Sequence, residues 1–202
     1  PPILHSMDFD NPDWVLWAVY WWSIDQARAM HCEDCLVPDA YVDLLAEVPP
    51  PWADQPWPLT QFMIRIHAQT TGLTQLDLSR EEDRRALTLA LMGMAARRPD
   101  YLRYLPTASI EAALAPARDG PLLADFLTRH IQGPSDAPLD RKTFADLLRL
   151  RGFDLDTRRF VTTTPDGHRF EAATLPPVED PDVVDVQLIG PFEKASGLGQ
   201  AT

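Results

Sequence analysis

The chain of 202 residues contains only two cysteines, Cys32 and Cys35. Two cysteines cannot make the disulfide framework that stabilises many small secreted proteins. Their close spacing leaves three interpretations open, which are free thiols, metal ligands and a redox pair.

Long hydrophobic runs are also missing. The apolar run from Trp14 to Trp22 covers nine residues, whereas a helix needs roughly 20 to span a bilayer. Asp8, Asp10 and Asp13 stand before this run, where a secretory signal would carry positive residues. We therefore expect a cytoplasmic protein that does not enter a membrane.

Common catalytic signatures are absent from the sequence. It has no G-x-x-x-x-G-K-[ST] phosphate loop, no G-x-G-x-x-G dinucleotide fingerprint, no G-x-S-x-G elbow and no H-E-x-x-H zinc motif. Lys142 and Lys194, the two lysines, lie near a predicted helix start and in a predicted frayed tail, which are poor positions for a Schiff base. These absences favour a protein that is not an enzyme.

Basic residues are scarce relative to acidic ones, because 18 Lys and Arg stand against 30 Asp and Glu, for a net charge of -12. Nucleic acids and anionic membranes carry the same sign, so we expect no nonspecific binding to either. The excess is concentrated in residues 1–54, which hold ten acidic residues and one arginine. This region suits a protein partner with a basic surface. The abundance of Arg over Lys, with many Ala and Pro, is typical of GC-rich bacterial coding.

Hydrophobic residues at helical spacing predict a mainly α-helical fold, with six or more helices before residue 152. A content of 45% hydrophobic and 24% charged residues is ordinary for a globular protein. Capping residues mark four predicted helix starts, namely Asp10 or Asn11, Thr60, Ser79 in a capping box with Glu82, and Asp140. Gly72 and Gly152 mark predicted ends.

The pattern changes to an alternation of period two after residue 152. Arg159 to Thr164 and His168 to Thr174 are predicted to pair antiparallel around a Pro-Asp-Gly turn, and Val183 to Ile189 is a candidate third strand. We therefore expect a helical body over 1–152, a small β-rich extension over 153–192 packed on it, and a frayed tail over 193–202.

Four tryptophans lie in the first predicted helix, namely Trp14, Trp17, Trp21 and Trp22. The first three share one helical face, and the fourth lies beside it. Aromatic residues at this spacing usually pack in a core, which is the first interpretation. The second is a partner-binding surface, because tryptophan is enriched at binding hot spots and acidic residues such as Asp34 and Asp39 lie nearby in sequence.

His31, Cys32 and Cys35 offer three potential metal ligands within five residues. A closed zinc site needs four ligands, and the chain has no second cysteine pair. A redox CxxC usually follows a strand, whereas this one follows a predicted helix, and the acidic residues between the cysteines would raise the thiol pKa. We therefore expect no cofactor, with a zinc or iron centre on these three residues as an alternative.

His67 and His130 fall on apolar helix faces, where each could act as a general base. Neither has a nucleophile nearby in sequence, so a packed core histidine is the favoured interpretation of both. The paired arginines Arg158 and Arg159 are considered as a phosphate site, although no second motif supports it.

Together these patterns predict non-enzymatic recognition of another macromolecule through the acidic, tryptophan-rich N-terminal region. Such a protein would be an inhibitor, an immunity-type protein, an adaptor or an accessory subunit. Two alternatives remain open. One is a small metal-binding or thiol-dependent enzyme that uses His31, Cys32 and Cys35, and the other is a subunit that presents a substrate or peptide to an enzyme complex.

Overall fold

A computed structural model describes residues 10–29, 37–95, 97–118, 120–130, 140–163 and 169–171 of the chain. This part is mainly α-helical and carries a small antiparallel sheet near its C-terminal end, which confirms the predicted fold class. None of the helices in these ranges is both long and apolar enough to cross a bilayer.

The first helix, α1, spans Pro12–Trp21 and continues through a π-helical turn, Trp22–Gln26, to a final short segment, Ala27–Ala29. Its predicted start is confirmed, because Asn11 caps it by accepting a hydrogen bond from the backbone N–H of Asp13 at 3.0 Å.

The remaining helices follow in quick succession. They are α2 (Asp39–Ala46), α3 (Pro50–Ala53), α4 (Gln61–Gln69), α5 (Glu81–Met94), a 3-10 helix (Pro99–Tyr104), α6 (Thr107–Leu114), α7 (Leu122–His130) and α8 (Arg141–Arg149). Two further predicted caps are confirmed. Thr60 accepts from the N–H of Met63 at 3.2 Å, and Asp140 accepts from the N–H of Thr143 at 2.8 Å.

The capping box predicted at Ser79 and Glu82 is wrong. The residue before α5 is Arg80, which makes no capping hydrogen bond with its side chain. Asp77 accepts from both the N–H of Ser79, at 3.0 Å, and its hydroxyl, at 2.7 Å, while Glu82 pairs with Arg80. A carboxylate is a stronger acceptor than a hydroxyl, so the local turn at Asp77 competes successfully with the cap.

The sheet contains three strands in the described residues, β1 (Phe153–Asp154), β2 (Arg159–Thr163) and β3 (Arg169–Glu171), in that order. β2 and β3 pair antiparallel with Val161 opposite Glu171, which confirms the predicted hairpin. β1 was not predicted, because two residues are too few to show an alternation. The predicted strand Val183 to Ile189 and the tail 193–202 lie outside the described residues.

One buried cluster joins the helices to the sheet. Phe62 of α4 lies at its centre, with its ring 6.2 Å from Tyr20, 5.2 Å from Tyr101 and 4.9 Å from Tyr104. Phe153 of β1 is fully buried in the same cluster. The packing of these rings fixes α1, α4 and the 3-10 helix relative to one another.

Arg84 fastens the start of α5 to the proline-rich connection before α4. It is almost fully buried, and its guanidinium donates to the carbonyl oxygens of Pro56, Leu78 and Ser79 at 3.0 to 3.1 Å. The cation also lies 5.8 Å from the centre of the Trp52 ring. A buried arginine is tolerated here because backbone carbonyls satisfy its donors.

Three tyrosines of the core are held in the neutral form. Burial is the largest cause of a raised pKa for Tyr20, Tyr101 and Tyr104, and it raises the pKa of Tyr104 to about 12. The hydroxyl of Tyr104 is buried and finds no well-formed hydrogen bond within the described part of the chain. Unfolding would return each phenol to water and to its ordinary pKa near 10.

We therefore predict that the free energy of unfolding is independent of these tyrosines below pH 9 and falls as the pH rises through 10 toward 12. The unfolded chain then loses phenolic protons that the folded chain keeps, so each tyrosine contributes up to about 1.4 kcal/mol of lost stability per pH unit. Urea denaturation at pH 7 and pH 11 measures the difference. Tyr104→Phe should change stability little at pH 7 and should reduce the loss at pH 11. An unchanged loss in this variant would contradict the prediction.

Candidate functional site

Three tryptophan rings of α1 contact one another in a row. The rings of Trp14 and Trp17 meet edge to face with centroids 6.2 Å apart, and those of Trp17 and Trp21 are stacked at 6.1 Å with an interplanar angle of 8°. Spacings of three and four residues bring side chains together on a helix surface, which explains both contacts. We name Trp14, Trp17 and Trp21 the Trp ladder.

The Trp ladder faces away from the core. The buried residues of α1 and its π-helical turn are Val19, Tyr20, Ser23, Ile24 and Ala27. Val19 and Tyr20 are the buried residues that precede the π-helical turn. On a regular helix of 3.6 residues per turn, the mean direction of the ladder residues lies roughly 140° from the mean direction of these two.

All four tryptophans of α1, Trp22 included, are partly exposed. None is among the described hydrophobic residues that pack on the core cluster. Within the described residues the four rings are therefore partly buried without packing on the core cluster, and their use as a binding surface stays a prediction.

Exposed aspartates lie at both ends of the Trp ladder. Asp13 precedes Trp17 by four residues, and Asp25 follows Trp21 by four, so each lies about one turn from a ladder ring. Asp34 lies outside the described residues. Carboxylates and aromatic faces both attract cations.

Asp39, the second acidic residue predicted to bind a partner, forms an ion pair with Arg159 of β2 at 2.5 Å. The pair connects the first turn of α2 to the sheet. Its carboxylate is exposed, so the contribution of this pair to stability is small.

Arg98 holds α1 against the rest of the protein. Its guanidinium donates to the carbonyl of Ile24 inside the π-helical turn at 2.7 Å and makes two hydrogen bonds to the Asp100 carboxylate at 2.7 and 3.1 Å. It also lies 4.6 Å from the centre of the Tyr101 ring. Burial lowers the pKa of Arg98, but the hydrogen bond and charge of Asp100 outweigh it, so the pKa is raised. Arg98 remains charged and fixes the orientation of the ladder helix.

The proposed metal ligands His31, Cys32 and Cys35 lie outside the described residues, so a zinc or iron centre there stays a prediction. Within the described ranges, no group of three or more His, Cys, Asp or Glu residues could hold a metal ion.

His67 has a structural contact that accounts for its position. Its Nε2 lies 3.1 Å from the carbonyl oxygen of Leu76, which accepts a hydrogen bond from the ring and ties the end of α4 to the following turn. The backbone of His130 ends α7, and its side chain is outside the described part of the molecule.

Sequence reasoning did not find two grooves that the fold creates. One of about 340 Å³ lies between α5 and α7, where the ion pair of Asp125 and Arg129 lines it. The other, of about 280 Å³, brings Asp39 and Asp43 of α2 opposite Arg158 and Arg159. Its two sides are more than 100 residues apart in sequence, and the only local signal was the Arg158–Arg159 pair.

Known protein families, curated proteins and solved structures show no match to this chain.

We predict that Arg98→Met lowers the free energy of unfolding by about 3 to 5 kcal/mol, because it leaves the carboxylate of Asp100, which is 6% exposed, without its cation. The double variant Arg98→Met with Asp100→Leu should recover part of this loss. Arg97→Met is the matched control on the exposed neighbour and should stay within about 0.5 kcal/mol of the parent. Equal losses in the Arg97 and Arg98 variants, measured by urea denaturation, would contradict the role of Arg98.

The stacking in the Trp ladder predicts a coupling energy between two of its rings. A double-mutant cycle of Trp17→Ala and Trp21→Ala should give a coupling energy of roughly 0.5 to 1.5 kcal/mol, because the two rings stack. A control cycle of Trp17→Ala with Leu150→Ala, an exposed residue at the end of α8, should be additive within about 0.5 kcal/mol. Additivity in the first cycle would show that the rings do not interact in solution.

Proposed function

We propose that the protein is a non-enzymatic recognition protein whose Trp ladder binds the basic surface of a protein partner. The observation that carries the proposal is the row of stacked, partly exposed indole rings on the side of α1 that faces away from the core. Tryptophan side chains are highly buried on average, and apolar surface that is clustered and accessible commonly marks an interaction site.

The chemistry of the ladder favours a partner rich in arginine or lysine. Indole faces attract cations, and the partly buried rings already hold one another in place, so little side-chain entropy is lost on binding. Asp13 and Asp25 add negative charge at the two ends of the row. Acidic charge increases the rate of encounter with a basic partner, whereas buried indole contacts slow dissociation.

The position of α1 supports the same proposal. Arg98 and the core contacts of Tyr20 and Ile24 hold the helix on the side opposite the ladder, so the ladder is carried by an anchored element. A preformed surface suits an inhibitor, an immunity-type protein, an adaptor or an accessory subunit, each of which acts by occupying or positioning another protein.

Affinity capture followed by kinetics on the purified partner tests the proposal. Trp17→Ala with Trp21→Ala should increase the dissociation rate on the order of 30-fold or more, which corresponds to a hot spot of about 2 kcal/mol. The matched control is Leu147→Ala with Leu150→Ala, which removes two exposed apolar side chains at the C-terminal end of α8 and should leave the rate unchanged.

Charge reversal separates steering from contact energy. Asp13→Lys with Asp25→Lys should chiefly lower the association rate and weaken its dependence on salt. Glu47→Lys with Asp54→Lys changes the net charge by the same amount at exposed positions on other elements and should have a smaller effect. The proposal fails if a captured partner binds the folded ladder variant as tightly as the parent protein.

A further inference from the structure

The C-terminal end of α8 carries the two large hydrophobic side chains that are exposed in the described part of the chain. Leu147 is 46% exposed and Leu150 is 83% exposed. The helical turn continues through Arg151, because its N–H donates to the carbonyl of Leu148 at 2.8 Å. On a regular helix the positions 147, 150 and 151 lie within an arc of about 100°, so they share one side. We name Leu147, Leu150 and Arg151 the α8 patch.

The surroundings of the α8 patch are basic, although the chain as a whole is acidic. Residues 141–151 hold four basic residues against one acidic residue, a net charge of +3, whereas the whole chain carries -12. Three of these four basic residues form ion pairs with carboxylates of the described chain. The fourth, Arg151, is exposed and has no carboxylate of the described residues within ion-pair distance. The α8 patch therefore combines apolar surface with a cation that a carboxylate of another segment can pair with.

Residues 178–189 have a composition that complements the α8 patch. Their sequence, VEDPDVVDVQLI, contains four acidic residues, no basic residue and six aliphatic residues. This segment lies outside the described residues. Contact between aliphatic side chains releases water from apolar surface and supplies binding energy, while charges of opposite sign favour one orientation over others. The α8 patch and this segment match in both respects.

The sheet brings the chain close to the α8 patch just before this segment. Glu171 of β3, the last described residue, lies opposite Val161 of β2. The N–H of Val161 in turn donates to the carbonyl of Gly152, which directly follows the patch. Neighbouring strands are about 4.8 Å apart, so Glu171 is about 10 Å across the sheet from Gly152. The seven peptide units from Glu171 to Val178 can span up to about 23 Å, which is more than this separation.

We propose that the α8 patch is the docking site for residues 178–189 of the same chain. Aliphatic side chains of the segment cover Leu147 and Leu150, and one of its carboxylates pairs with Arg151. Burial of the two leucines supplies most of the binding energy, because an ion pair at the surface contributes little. The short connection from β3 gives the segment a high effective concentration at the patch, which favours this occupant over the same segment of a second copy.

Methyl NOE spectra of the unmodified, carbon-13-labelled protein test the proposal directly. Cross-peaks are expected between the methyl groups of Leu147 or Leu150 and those of the aliphatic residues in 183–189. They should keep their intensity relative to other cross-peaks on about tenfold dilution, because the contact lies within one chain. Absence of these cross-peaks would overturn the proposal. Their loss on dilution would also overturn it, because the segment would then come from a second copy.

Zero-length cross-linking provides the second arm. Arg151→Lys keeps the positive charge and introduces an amine that a carbodiimide can couple to a carboxylate in contact with it. Mass spectrometry of the monomer should find this amine linked to an acidic residue of 178–189. Arg118→Lys, at an exposed arginine between α6 and α7, is the matched control and should give about tenfold fewer links to the segment. Equal yields from the two variants would overturn the proposal.

Removal of the apolar surface separates docking from charge attraction alone. Leu147→Ala with Leu150→Ala, added to Arg151→Lys, should lower the cross-linking yield about tenfold or more. Circular dichroism checks that this variant is folded, and an unchanged yield in the folded variant would overturn the proposal. If it does not fold, the NOE spectra of the unmodified protein still decide. The α8 patch shares no residue with the Trp ladder, so the same leucine substitutions should leave partner binding unchanged and the two proposals can fail separately.

Discussion

The position of α1 depends on the contact between Arg98 and its π-helical turn. One guanidinium reaches the carbonyl of Ile24, the carboxylate of Asp100 and the ring of Tyr101. A π-helical turn disturbs the regular hydrogen bonding of a helix, and a side chain that donates into it stabilises the distortion. The helix is thereby anchored along one side, and its opposite side carries the Trp ladder.

Arginine side chains also donate hydrogen bonds to backbone carbonyl groups at several other positions. The 20 prolines of the chain cannot donate backbone hydrogen bonds, so carbonyl groups in irregular connections need other donors. Arg84 satisfies three such carbonyls, including that of Pro56. Arg103 donates to the carbonyl of Arg158, and Arg158 donates to that of Leu105. The excess of arginine over lysine, which composition alone links to codon usage, therefore also has a structural use, because one guanidinium offers five donors in a plane.

The acidic surplus of the N-terminal region is divided between two surfaces. Asp13 and Asp25 are exposed and lie about one helical turn from residues of the Trp ladder. Asp39 is instead paired across to β2, and Asp43 faces a groove lined by arginines. The number of acidic residues in the sequence therefore does not show that they lie in two different electrostatic environments.

The features that could be predicted from the sequence depend on contacts between residues that are close together in the chain. The caps at Asn11, Thr60 and Asp140 each depend on contacts within three residues, and the pairing of β2 with β3 follows from an alternation of residue types over a short stretch, so all four could be predicted. The capping box at Ser79 failed because Asp77, two residues earlier, supplies a stronger acceptor.

The tertiary structure alone decided the rest. Helical periodicity places Trp14, Trp17 and Trp21 on one face, but it cannot say whether that face meets the core, because the choice depends on which side packs on Phe62 and Arg98. The groove between α2 and the start of β2 joins residues from distant parts of the chain, and no short pattern encodes such a contact. Sequence by itself determined the helices, the caps at Asn11, Thr60 and Asp140 and the hairpin, because these depend on near neighbours in the chain, whereas long-range packing determined which surfaces remained exposed.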